Sequence, residues 1–275
     1  MLSVKHTVVV EQVPYPWLVD AVTVIRTLVE ESRVDEQGLV LSDGQGLRDI
    51  RLTQGRHLRP GSVYVIENRA GEGKAAADAE GTRKDRKDKA ADPSGTARIT
   101  IGEWDHRRAV HLELTVAEDD MATELDVTLK SPDRPALVEI AGRTRGGAAP
   151  RTLFEMAGRA RVRLDDWWPA ADSDRTPPSA PVSARLDHRW VRADARVVPR
   201  PSRHDGRWDI QITVSLRGRR LLRPLAAVVL TVAARRIRRS VVRTVDDLAA
   251  QWNDRVPRLV AMNSDQLREA LLSAR

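Results

Sequence analysis

Arg207-Trp-Asp-Ile-Gln-Ile-Thr-Val-Ser-Leu216 alternates polar and apolar side chains without a break, then runs through Pro224 into a long amphipathic segment ending near Trp252. Trp208, Ile210, Ile212, Val214 and Leu216 share one face, and Asp209, Gln211, Thr213 and Ser215 share the other. That period of two is the signature of a strand with one covered face. In the segment that follows, Leu230, Ala234, Ile237, Val241, Val245, Leu248 and Trp252 recur at steps of three and four, which predicts one apolar stripe on a helix. Together they predict an α+β protein: a curved antiparallel β-sheet whose last strand feeds a long C-terminal α-helix lying back across it, an architecture that can build a cavity.

Working outward, His204-Asp205-Gly206 turns the chain into this final strand. Before it, Ser183 to Val198 reads as one strand whose phase shifts near Trp190-Val191, the mark of a bulge. After the long helix, Asn263 and Gln266 have the spacing of a capping box for a last helix, Ser264 to Ala274. Upstream, apolar runs or alternation at Ile99 to Ile101, Val110 to Val116, Leu125 to Leu129, Ala136 to Ala141 and Val162 to Leu164 predict antiparallel strands. Hairpin-sized polar links join several of them at Trp104 to Arg107, Glu118 to Asp120 and Ser131 to Arg134. A polar, proline-rich stretch, Pro169 to Pro181, interrupts the series.

Near the start, residues 3–13 read as a strand broken by Pro14 and Pro16, and Pro16 opens a predicted helix over 16–32. Short strands follow at Gly38 to Ser42 and Ser62 to Asn68. The segment from about 70 to 96 has no large apolar side chain, so it cannot join a core and is expected to be a disordered insertion. Within it, Gly71-Glu-Gly-Lys74 lacks the Gly-x4-Gly-Lys-Ser/Thr spacing of a phosphate loop. The chain is expected to be one domain over 1–275. The alternative is a small module over 1–69 and a β-plus-helix domain over 97–275.

There are 46 Lys plus Arg against 39 Asp plus Glu, a net charge of +7, and no cysteine among 275 residues. The last point excludes disulfides and thiolate chemistry and is compatible with a reducing, cytoplasmic setting. Met1 to Val10 lacks the apolar run of a secretory signal. The longest apolar run, Leu225 to Ala234, is roughly half of what a bilayer span requires.

The order of strand, helix, short strands, antiparallel strands and one long terminal helix resembles the START-like, or SRPBCC, helix-grip superfamily. The residues that carry the resemblance are Thr7 to Trp17, Leu58-Arg-Pro-Gly-Ser-Val-Tyr64, Ile99 to Trp104 with Arg108 to Leu114, and Trp208 to Trp252. That superfamily includes polyketide cyclases and lipid-binding domains, so the resemblance implies a cavity for a hydrophobic or amphipathic small molecule. By strand and helix phase, the cavity-facing residues are His188, Trp190, Trp208, Ile210, Ile212, Val241 and Val245. Separately, Gly38-Leu-Val-Leu-Ser-Asp-Gly-Gln-Gly-Leu-Arg-Asp49 with Leu58 to Ile66 looks like the second half of a ubiquitin-like β-grasp, which underlies the two-domain alternative.

No catalytic residue, metal site or cofactor is assigned. The six histidines, His6, His57, His106, His111, His188 and His204, include no metal-binding helical pair, and no nucleophile elbow or dinucleotide fingerprint occurs. His111 is expected to face solvent. His188, sharing a face with Leu186 and Trp190, reads either as an inward acid or base or as a hydrogen-bonded histidine without catalytic duty. Trp167-Trp168, after Asp165-Asp166, reads as a strand pair with one ring on each face.

The strongest charge cluster is Arg235, Arg236, Arg238, Arg239 and Arg243, preceded by Arg217, Arg219, Arg220 and Arg223. Off the apolar stripe, it reads either as a solvated face or as a surface for an acidic protein or nucleic-acid partner.

Overall fold

In a computed structural model the structure describes residues 2–35, 38–41, 44, 46–47, 49–67, 96–118, 121–146, 155–173, 177–218 and 223–273. The chain runs β1 (Leu2–Glu11), α1 (Tyr15–Glu31), β2 (Arg33–Asp35), β3 (Gly38–Val40), β4 (Gly46–Leu47), β5 (Ile50–Gln54) and β6 (Val63–Glu67). It continues with β7 (Thr96–Asp105), β8 (Ala109–Glu118), β9 (Met121–Lys130), β10 (Leu137–Gly146), β11 (Met156–Arg163) and α2 (Leu164–Ala171). It ends with β12 (Val182–His188), β13 (Val191–Pro201), β14 (Arg207–Gly218), α3 (Arg223–Val260) and α4 (Ser264–Ser273). The expectation of a disordered insertion at 70–96 falls outside the described residues except for Thr96, which opens β7.

Among the described residues, eleven strands form one antiparallel sheet in the order β1-β14-β13-β12-β11-β10-β9-β8-β7-β6-β5. From β5 to β14 every strand pairs with its neighbour in sequence, and only β1 joins from afar, matched to β14 from Leu2↔Leu216 to Glu11↔Arg207. The sheet is curved and open, because β1 and β5 each have a single strand partner. A small sheet, β2-β3-β4, stands beside β5.

Register carries the alternation of β14 across the whole sheet. Trp208, Ile210 and Ile212 lie beside Val10, Val8 and His6 on one side and Pro201, Pro199 and Val197 on the other. The same face continues through Ala184, Ala160, Ile140, Val127 and Leu112 to Ile101 and Tyr64. One face is therefore apolar from edge to edge, while the other carries mostly charged and hydroxyl side chains. An apolar face this wide has to be covered. Helix α1 spans β6–β9, α2 packs on β13, and α3 lies along β1 and β14.

The Val9–Glu11 end of the β1 edge is capped by side chains of α3. Asn253 of α3 accepts a hydrogen bond from the Glu11 N–H at 2.8 Å and donates one to the Val9 carbonyl at 3.0 Å, the pair of bonds that a further strand would make. Trp252 adds its indole N–H to the Glu11 carbonyl at 2.8 Å. Backbone groups occupied this way are not open to pairing with another chain. The C-terminal capping box is present in both directions, with Asn263 N–H donating to Gln266 Oε1 at 3.0 Å and Gln266 N–H to Asn263 Oδ1 at 2.9 Å.

Three expectations are corrected. Residues 183–198 are two strands, β12 and β13, joined at Arg189-Trp190, so the phase shift read as a bulge is a reversal of the chain. Trp167 and Trp168 lie on α2, whose first turn carries Asp165 and Asp166, where carboxylates favour a helix N-terminus. The long helix extends past Trp252 to Val260, through Pro257. Among the described residues no helix is long and apolar enough to cross a membrane.

Candidate functional site

Among the described residues the helices cover the apolar face incompletely, and three of the hollows left in it bear on the site. The largest, about 440 Å³, lies beneath α1. Val22, Ile25 and Val29 of the helix face Ile99, Ile101, Val110 and Leu112 of the sheet, with Leu39 and Ile50 at one side. Helix α1 is held above this chamber at its rim. Arg26 pairs with Asp133 in the turn after β9, and the Trp104 indole donates to Glu30 Oε1 at 3.1 Å.

The chamber's wall contains one polar network. Tyr64, 6% exposed, accepts a hydrogen bond from the Leu58 N–H at 2.9 Å, which leaves its own proton for His57 Nδ1 at 2.7 Å. His57 Nε2 then carries the ring proton toward the Val29 carbonyl and the Ser32 hydroxyl, each at 3.3 Å. Leu58 pays for this with a left-handed backbone, φ 54°. The network ties the loop between β5 and β6 to the C-terminal end of α1, so it sets how far the helix stands from the sheet. Burial pushes the Tyr64 phenol above its ordinary value, opposed by the Leu58 N–H. The sign follows: stability contributed by neutral Tyr64 is full below the unfolded value near pH 10 and is lost as pH rises through the raised folded value. Tyr64→Phe is expected to cost about 1–2 kcal/mol at neutral pH by orphaning Leu58 N–H and His57, and to flatten this alkaline limb. Urea titrations from pH 7 to 11 would show both effects.

The second hollow, about 190 Å³, is bounded by Val8, Val10, Trp208, Ile210 and Ile212 below and Val245, Leu248, Ala249 and Trp252 of α3 above, with Trp167 closing one end. The third, about 360 Å³, is an open trough over β9–β13 with a floor of Gly142, Gly158, Ala160, Ala184, Ala193 and Ala195. Met156 and Leu186 stand along it, 39% and 44% exposed. A side chain at Gly142 would meet Leu125 Cδ2 at 2.7 Å, so the floor is low because its neighbour leans over it.

Of the residues read from sequence as cavity-facing, Trp208, Ile210, Ile212 and Val245 come together around the second hollow. Val241 is half-buried on α3 outside that wall. His188 and Trp190 sit apart at the β12–β13 turn, rings 5.5 Å centre to centre, and Trp190 is 40% exposed. Sequence reasoning missed the chamber beneath α1. Its one legible signal was the apolar spacing of Val22, Ile25 and Val29 opposite the alternation of Val110 and Leu112.

On the polar face, His111 makes a 3.1 Å ion-pair contact with Asp126, beside Glu113, over the bulge of β7 where Gly102 leaves room for the imidazole. Arg235, Arg236, Arg238, Arg239 and Arg243 are all exposed on α3, and among the described residues none of them makes an ion pair. Comparison with protein-family models, curated proteins and solved structures finds no match.

Proposed function

We propose that this protein binds a hydrophobic or amphipathic small molecule on the apolar face of its sheet, with the space beneath α1 as the principal chamber. The observation that carries the reading is the 440 Å³ hollow itself, lined by aliphatic and aromatic side chains with Arg26, His57 and Tyr64 as its polar contacts. Ligand pockets commonly have this character and fall in the range of roughly 300–1,000 Å³. The smaller hollow under α3 is the place that a helix-grip arrangement would use, and it is the second chamber in this proposal. No reaction is proposed.

The test is a fluorescence titration with Nile red, using the wild type, Leu112→Trp and Val245→Trp. Leu112→Trp fills the chamber beneath α1 and is expected to weaken binding at least about tenfold while Val245→Trp changes it less. This follows because a ligand loses its apolar burial when its space is occupied. A wild type that does not bind the dye, or a Leu112→Trp variant that folds and binds unchanged, overturns the assignment.

A second reading is an interaction role for the arginine face of α3 toward an acidic protein or nucleic acid. Its support is the exposure of all five arginines, and it requires affinity that falls steeply with salt.

A further inference from the structure

The polar face of the sheet has a feature that the lipophile reading does not use. Across β11, β12, β13 and β14, register arranges side chains in rows. Arg161, Ser183, Arg196 and Thr213 form one row, and Arg159, Arg185, Asp194 and Ser215 the next. In the third, Asp187 is followed by Arg192 and Arg217. Twice in this grid arginine stands directly opposite arginine, Arg159↔Arg185 and Arg192↔Arg217. Like charges directly opposite one another destabilise a sheet.

Carboxylates offset only part of the charge. Arg185 pairs with Asp194 at 2.8 Å, Arg192 with Asp187 at 2.9 Å and Arg161 with Glu139 at 2.8 Å. Arg159, Arg196 and Arg217 have no ion-pair or hydrogen-bond partner among the described residues, and neither do the hydroxyls of Ser183, Thr213 and Ser215. All six line one groove of about 780 Å³. Three guanidiniums, which only donate, and three hydroxyls that can donate thus point to a ligand made of acceptor oxygens.

Strand geometry narrows the ligand. With neighbouring strands about 4.8 Å apart and about 3.4 Å per residue, the Cα atoms of Arg159, Arg196 and Arg217 form a triangle with sides of roughly 12–16 Å. A single phosphate would engage all three only if every guanidinium stretched to the centre of that triangle, whereas a chain of linked phosphates offers each one its own oxygens. Guanidinium forks match phosphate oxygens in paired hydrogen bonds. No aromatic side chain occurs in the grid, so nothing there stacks on a base. We infer that the groove over β11–β14 is a binding site for a polyphosphate chain, whether free or carried by a nucleotide, recognised through Arg159, Arg196 and Arg217.

Calorimetric titration of the full chain with sodium tripolyphosphate tests this. The wild type is expected to bind it at least about tenfold more tightly than orthophosphate, and more weakly at about 200 mM than at about 50 mM salt. The triple variant Arg159→Ser, Arg196→Ser, Arg217→Ser removes no ion pair. It is expected to keep the thermal midpoint and lose at least about tenfold in affinity. A control triple, Arg235→Ser, Arg236→Ser, Arg238→Ser, removes the same charge from α3 and is expected to change affinity less than about threefold. Adenosine triphosphate binding about as well as tripolyphosphate, but no better, supports recognition of the phosphates alone. Absence of tripolyphosphate binding, equal losses in both triples, orthophosphate binding as tightly, or stronger binding of an oligoglutamate peptide would each overturn the assignment. Should the groove triple not fold, single Arg159→Ser and Arg217→Ser variants provide the same comparison.

Discussion

Trp208→Ala is expected to remove about 3–5 kcal/mol of stability, the largest loss from any single truncation proposed for this chain. Trp208 is 5% exposed and anchors the cluster of Val10, Ala171 and Ile210, with Trp167, Trp168, Val8 and Ala249 packed around it. Its ring meets Trp167 and Trp168 edge to face, at centroid distances of 5.6 and 6.4 Å. Such pairs add about 0.5–1.5 kcal/mol each to area burial. The same ring seats α2, whose Trp168 indole donates to the Val13 carbonyl at 2.9 Å and whose ring also meets Tyr15. Truncation therefore loosens β14, β1 and α2 together. Against a typical total of about 5–15 kcal/mol, the variant is expected to be partly unfolded at physiological temperature. Urea denaturation read by circular dichroism gives the number, and Trp208→Phe should recover more than half of the loss. A truncation costing under about 1 kcal/mol would show that the ring does not organise this end of the sheet.

Asn253→Ala is expected to cost about 2–3 kcal/mol, more than a typical half-buried amide, because it leaves both the Glu11 N–H and the Val9 carbonyl without their partner. The readout specific to this geometry is amide hydrogen exchange. Protection at Glu11 should fall by more than protection at Val8, whose strand partner on β14 is intact. Equal exchange at both positions in variant and wild type would mean that α3 does not close the edge. Asn253→Asp retains the acceptor and loses the donor, so an intermediate loss is expected.

Much of this architecture could be read from residues alone, for definite reasons. The alternation of Arg207–Leu216 was legible because one face of β14 is covered and the other is polar along its whole length. Asn263 and Gln266 were legible because a capping box is a local motif. The turn at Arg189-Trp190 was not, since neither residue belongs to the Gly, Asn, Asp and Pro set that marks hairpins. Trp167-Trp168 misled because aromatic pairs suit strands, although Asp165 and Asp166 already favoured a helix start. The strand residues picked for a cavity split accordingly. Trp208, Ile210 and Ile212 had the right phase on a correctly placed strand, while His188 and Trp190 were placed along a strand that actually turns back. The arginine groove was beyond reach, because Arg159, Arg196 and Arg217 converge only once the register of four strands is known.

The pairing of β1 with β14 also has a consequence in time. Leu2 meets Leu216, so β1 has no strand partner until β14 has been synthesised. At synthesis rates of roughly 5–20 residues per second, that delay is on the order of 10–40 s. Through that interval Val4, Val8 and Val10 form an apolar ribbon with both backbone edges open, on the amino-terminal side of a chain whose other strands can pair in order as they emerge. Adding β1 is thus the last pairing that the order of the described strands allows, and until then its exposed valines are a place where a nascent chain can misassociate.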